Sequence, residues 1–138
     1  MTRTGARKTV ADDFWQGRLS SARSFHKAAR TLLTLTDPGQ NANPTIAHIV
    51  NAAIAYADAI TARRAKVINQ KDHKSIGALL RDVLGNMVLS SQIAHLDAII
   101  KQKDDASYGA RPGTRTQAEN LLGRLEEFAA WAETELER

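Results

Sequence analysis

TRTQAENLLGRLEEFAAWAETEL, residues 114 to 136, decides the fold class. Its apolar residues Ala118, Leu121, Leu122, Leu125, Phe128, Ala132 and Leu136 recur at helical spacing, which places them on one face of an α-helix. Thr116 and Glu119 read as a T-x-x-E capping box, in which each side chain satisfies a free amide at the helix start. The rest of the chain repeats the pattern. Leu89, Ile93, Leu96 and Ile100 make one stripe, and Ile76, Leu79, Leu80, Val83 and Leu84 make another, introduced by Asp72 as an N-cap. Gly85 and Asn86 stop or bend the chain between them, so residues 72–84 and 87–103 read as one kinked helix or as two.

Upstream, Asn43 can cap a helix with Pro44 at its first position. Ile46, Val50, Ala53, Ala57, Ile60 and Arg64 then form an inward line reaching about Ile68. Before the turn-forming DPGQNANP of residues 37–44, a first helix is expected from about Val10 to Leu35. Its stripe is Trp15, Leu19, Ala22, His26, Ala29 and Leu33, widened by Phe25 and Leu32. No alternating segment competes as a strand. The expectation is an all-α protein, an up-and-down antiparallel bundle of four to five helices. A basic flexible arm, residues 1–9, is expected to precede one domain spanning 10–138.

Composition bounds the function classes. With 138 residues and 43% hydrophobic side chains the chain can build a core without staples. It has no cysteine, which excludes disulfides, thiol nucleophiles and thiolate metal sites. No apolar run resembles a membrane span or a secretory leader, so a cytoplasmic protein with no membrane partner is expected. The net charge of +4 is unevenly spread: all six glutamates lie between Glu119 and Glu137, whereas the first 115 residues carry 17 basic and 9 acidic side chains. A basic field of this kind can hold phosphates, and a two-signed molecule favours contacts between copies.

Three stretches carry a resemblance: YADAITARRAKVINQKDHKSIGALLRDVLG, LDAIIKQKDDASYG and TRTQAENLLGRLEEFAAWAETEL. With Asp58–Ala59, Asp72–His73, Lys103–Asp104, Tyr108 and the Thr114-to-Ala118 step, residues 45 to 137 resemble the HEPN domain superfamily. The resemblance implies a helical bundle, commonly a homodimer. Some such domains are metal-independent ribonucleases, and they often work beside nucleotidyltransferases, in toxin–antitoxin pairs or in anti-phage defence. The family's catalytic pattern is Arg, four to six residues, then His. Arg can hold the scissile phosphate and His can move protons near neutral pH. Here the matching stretch is Lys103 to Tyr108, a K-x4-Y, and a tyrosine with an ordinary pKa near 10 is a poor proton shuttle at pH 7. The resemblance therefore implies a non-catalytic interaction or binding module, with an atypical ribonuclease as the alternative.

The weak catalytic candidates are Lys103, Asp104, Tyr108 and His73. Asp72 beside His73 can orient the imidazole, or simply cap the helix. Arg63, Arg64, Lys103, Arg111 and Arg115 are candidates for contact with a polyanion, RNA or a nucleotide. A di-iron site is excluded because it needs Glu-x-x-His pairs, and no histidine lies beyond His95 whereas every glutamate lies after residue 118. No metal and no cofactor are expected. A helix-turn-helix over 73–84 and onward from Met87 is a third reading, but its second helix, MVLSSQIAH, offers no Arg or Lys before Lys101.

Overall fold

The computed structural model describes residues 7–70, 72–104 and 111–138. Among them are five α-helices, α1 (Phe14–Leu35), α2 (Asn43–Ala65), α3 (Ile76–Leu84), α4 (Ser90–Ile100) and α5 (Arg115–Glu137). Two short strands, β1 (Arg7–Thr9) and β2 (Val67–Asn69), complete the set. The protein is an all-α helical bundle.

The axis of the bundle is α2, in which every residue from Ala52 to Ala62 is buried. Its many alanines, set among Ile46, Ile49, Ile54, Tyr56 and Ile60, let α1 and α5 both approach closely. Trp15 stacks under Arg63 and Arg18 reaches Asp58, so α1 runs antiparallel to α2. Gly113 meets Asn43 and Arg64 meets Glu135, so α5 runs parallel to it. Phe128 and Leu125 of α5, Leu80 of α3, and Ile93, Leu96 and Ile99 of α4 fill the remaining core. Full burial of each such side chain contributes about 1.5–3 kcal/mol. By length and composition α2 is the one helix among the described residues that could cross a membrane, and 83% of that apolar window is buried inside the bundle.

Several boundaries differ from the sequence reading, each for a local reason. The second helix stops at Ala65 rather than near Ile68, because Lys66 takes a left-handed conformation (φ 56°). The chain then extends as β2, with Arg7 opposite Asn69, Lys8 opposite Ile68 and Thr9 opposite Val67. Part of the expected flexible arm is thus a strand, and the first helix begins at Phe14 because Val10 donates its N–H to the Lys66 carbonyl. Strands of three residues are too short to show alternation. An Arg7–Asp82 ion pair ties β1 to α3.

The cap of α5 lies two residues earlier than expected. Thr114 Oγ1 accepts the Gln117 N–H (3.1 Å) and Gln117 Oε1 accepts the Thr114 N–H (2.8 Å), so Thr114 and Gln117 form the capping box. Asn43 lies within α2 and its side chain accepts the Gly113 N–H (2.7 Å) instead of capping. A Cβ on Gly113 would stand 2.5 Å from Ile46 Cδ1 and 2.8 Å from Asn43 Oδ1, so any larger residue here would push both side chains aside. Finally, α3 and α4 are two helices, joined through a 3₁₀ turn at Gly85–Met87 and folded back on each other, with Ile93 and Asp97 lying against Gly77.

Candidate functional site

The α3–α4 hairpin brings together two stretches some thirty residues apart in sequence. At its open end a cleft of about 640 Å³ is lined by Asp72, His73 and Lys74, just before α3, and by Asp97 and Ile100 of α4 with Lys101, Lys103 and Asp104 just after it. Gly77 makes this possible, because a Cβ there would stand 3.0 Å from Asp97 Oδ1. The volume lies within the usual range for small-molecule sites, roughly 300–1,000 Å³.

Three of the four weak catalytic candidates therefore share one cavity: His73, Lys103 and Asp104. The fourth, Tyr108, lies outside the described residues. Asp72 does not orient His73. Its Oδ1 accepts the Ser75 N–H (3.1 Å) and the Ser75 hydroxyl (3.0 Å), which makes it the cap of the His73–Ser75 turn.

The imidazole of His73 is half-buried, and its pKa is held below the ordinary histidine value. Burial is the largest cause, followed by the positive charge of Lys103, against a smaller opposite pull from Asp72 and Asp104. Its Nδ1 is buried without a hydrogen-bond partner among the described residues. Protonation would place an N–H there with no acceptor among the described residues, which agrees with the lowered pKa and a neutral ring at pH 7. The cleft thus combines three ammonium groups, a neutral imidazole and three carboxylates. The ammonium groups suit a phosphate, and the carboxylates accept from hydroxyl or amino groups.

The other polyanion candidates are scattered, and three of them are engaged. The Arg63 guanidinium lies 5.3 Å from the Trp15 ring centroid, in cation–π contact. Arg64 donates to the Glu135 carbonyl (3.0 Å) and carboxylate (3.3 Å). At the opposite end of α2, Arg115 donates to the Thr36 carbonyl (2.8 Å) and to Glu119 (3.3 Å), and Arg111 is exposed two residues before Gly113. The structure does not gather these arginines around Lys103. As for the helix-turn-helix reading, the exposed positions of α4 are Ser90, Ser91, Ala94 and Asp97, none of them a cation.

A second polar assembly joins α1 to α5. Arg23 binds Glu133 through two hydrogen bonds (2.8 and 2.6 Å), and Arg30 grips Glu126 through three (2.7 to 3.1 Å). Between these rungs the buried His26 joins the Glu126 carboxylate through Nε2 and the Tyr56 hydroxyl through Nδ1 (3.2 Å). A carboxylate can only accept, so Nε2 carries the proton and the Tyr56 O–H donates to Nδ1. Burial lowers the His26 pKa and, more strongly than the nearby Glu133 charge, pushes Tyr56 up to about 12. Burial would raise Glu126, but the hydrogen bonds from Arg30 and His26 outweigh it and hold the carboxyl below its ordinary value.

The bundle has a structural counterpart. The crystal structure of TT1696 from Thermus thermophilus matches it with a TM-score of 0.72 at 21% sequence identity, over 91% of this chain and 99% of that one. At that identity the likeness shows a shared fold. No protein-family profile matches the chain. No curated protein matches it either.

Sequence reasoning did not single out Asp97 or Lys101 in the cleft, nor Arg23, Arg30, Glu126 and Glu133 in the seam. The seam had a usable signal. Arg23 and Arg30 stand seven residues apart, as do Glu126 and Glu133, in a chain with a basic first helix and an acidic last one. The charge asymmetry is partly used within the molecule.

Proposed function

We propose that this chain is a HEPN-like, non-catalytic binding module that takes a phosphate-bearing ligand, a nucleotide or an RNA phosphate, in the cleft at the open end of the α3–α4 hairpin. One observation carries the reading: His73 and Lys103, remote in sequence, line the same cavity together with Lys74 and Lys101. The ammonium groups neutralise the phosphate, and Asp72, Asp97 and Asp104 hold its hydroxyl or amino substituents. Because the formal charges of the cleft balance, a compact ligand with donors of its own suits it better than a bare polyanion.

The test is a titration of the ring resonances of the protein's histidines with inorganic phosphate and then with adenosine monophosphate. Saturable shifts confined to His73, weakened at least about tenfold, or roughly 1.4 kcal/mol, by Lys103→Ala, are expected. Unmoved His73 resonances with both probes would sink the proposal. A homodimer, which the resemblance implies, predicts a light-scattering mass near twice the 15.1 kDa of the chain.

A second reading has one specific support. His73 supplies beside Lys103 the imidazole that the K-x4-Y stretch lacks, and a neutral imidazole can take the proton of a ribose 2′-hydroxyl as it attacks the adjacent phosphate, while the bond to the 5′-oxygen of the next nucleotide breaks and that oxygen takes a proton from water. A mixed RNA pool incubated with chelator separates the two readings. Cleavage abolished in His73→Ala establishes a metal-independent ribonuclease, and intact RNA leaves the binding module.

A further inference from the structure

Three features of the α1–α5 seam go beyond what is needed to hold two helices together. First, its floor is a polar chain that starts at the buried Tyr56 and His26 and ends in the partly exposed Glu126–Arg30 pair, where apolar side chains in place of Tyr56 and His26 would hold the helices at least as well. Second, Ala129 and Ala130 face that chain and leave a crevice of about 330 Å³ between the two ion-paired rungs. Third, a neighbouring cavity of about 360 Å³ continues along the same seam, with an apolar wall of Trp15, Leu19 and Leu136. The Arg23–Glu133 pair belongs to both cavities, as their common partition.

That partition can open. Arg23 is 59% exposed and Glu133 is 31% exposed, and neither bonds to any other side chain among the described contacts, whereas His26 is fixed through both ring nitrogens. A ligand entering here must separate a guanidinium from a carboxylate. An anion would satisfy Arg23 and strand the partly buried Glu133, and a cation would satisfy Glu133 and forfeit the paired hydrogen bonds of Arg23; each leaves one of the two charges without its partner. A ligand carrying a carboxylate and an ammonium on one carbon keeps both paired. Its carboxylate takes the two parallel N–H groups of Arg23, which the Glu133 carboxylate now occupies, and its ammonium takes Glu133. The substituent on that carbon then has an apolar wall of matching character beside it.

We propose that the α1–α5 seam binds a free α-amino acid with an apolar side chain, its head inserted between Arg23 and Glu133 and its side chain against Trp15, Leu19 and Leu136. The site is separate from the hairpin cleft, and neither reading depends on the other.

The experiment uses the full chain carrying Trp131→Phe, which leaves Trp15 as the sole indole, and titrates it with L-leucine while Trp15 fluorescence is followed. The unmodified chain is titrated in parallel by calorimetry, so a folding defect in the variant does not remove the readout. A saturable signal at concentrations up to about 10 mM is expected, a free energy of roughly −3 kcal/mol or better. N-acetyl-leucine and leucinamide, each lacking one charge of the head, are expected to bind at least about tenfold more weakly, as is L-leucine to Arg23→Ala and to Glu133→Ala. Absence of heat and of a fluorescence change with L-leucine overturns the proposal. Equal binding of the two blocked compounds overturns it as well, since the paired-charge selection would then not exist.

Discussion

The seam between α1 and α5 and the cleft at the end of the α3–α4 hairpin both gather charged groups around a histidine, yet they are built in opposite ways. At the seam Arg23 and Arg30 each have a carboxylate in bidentate contact, and His26 uses both ring nitrogens. At the cleft Lys74, Lys101 and Lys103 make no ion pair among the described residues, and His73 Nδ1 has no partner there. A satisfied network on the helix-packing surface fixes how two helices meet. Charges at an end with no ion-pair partner among the described residues are what the proposed ligand site calls for. The two histidines therefore differ in how far the fold uses them, His26 through both ring nitrogens and His73 with Nδ1 unpartnered among the described residues, and each can be tested alone.

The largest effect should come from His26. Alanine there removes a buried ring and leaves Tyr56 and Glu126 without their shared partner, so a loss of about 3 kcal/mol is expected in urea unfolding. His73→Ala, on a half-buried ring with no hydrogen bond at Nδ1, should cost no more than about 1 kcal/mol. Comparable losses at both positions would erase the contrast, because the cleft would then be as structural as the seam.

Asp58 sharpens the comparison through pH. It is buried on α2 with Arg18 as its partner (3.1 Å), and burial, only partly offset by that guanidinium, raises its pKa to about 6. The sign follows from linkage. A carboxyl whose folded pKa lies above its unfolded one binds its proton more tightly in the native state, so its contribution to stability is full below about pH 4 and is lost as pH rises through about 6. A rise of this size corresponds to at most about 3 kcal/mol, and about 1–2 kcal/mol is the expected change once Arg18, which is partly exposed, relaxes. Asp58→Asn removes the titration while keeping the shape. Unfolding free energies measured across pH 4 to 7 should show the variant losing less stability over this interval than the parent. Parallel profiles would show that Arg18 compensates the buried charge in full.

The fold was legible because its signal is redundant. The stripe Leu121, Leu125, Phe128, Ala132 is repeated in kind on α1, α3 and α4, and the inward line Ile46, Val50, Ala53, Ala57 and Ile60 marked α2 as a core helix. What the sequence hid was short or relational. β1 and β2 exist because Lys66 turns left-handed, which lays Val67–Asn69 against Arg7–Thr9, and no three-residue stretch shows that by itself. The candidate site was half legible: His73 was singled out by its place beside Asp72 and Lys103 by the HEPN resemblance, but their meeting depends on α3 folding back on α4 against the bare surface of Gly77. Gly85 and Asn86 marked the turn without giving its angle.

The smallest effect tests how such local signals are chosen by the fold. Two overlapping caps compete at the start of α5, Thr114 with Gln117 and Thr116 with Glu119, and both satisfy the same chemistry on paper. The structure selects the first, and the reason is tertiary. Gly113 is pinned by its N–H to Asn43 (2.7 Å) and by its carbonyl to the Ala42 N–H (2.9 Å), so Thr114 is the first residue free to turn into the helix. Starting at Thr116 would leave Arg115 outside the helix, away from the Thr36 carbonyl that it reaches from the first turn. Thr114→Ala should therefore cost about 1 kcal/mol and Thr116→Ala less than about 0.5 kcal/mol. If the two costs were reversed, the start of α5 would be governed by local capping alone, and the Gly113–Asn43 clasp would follow the helix rather than set it.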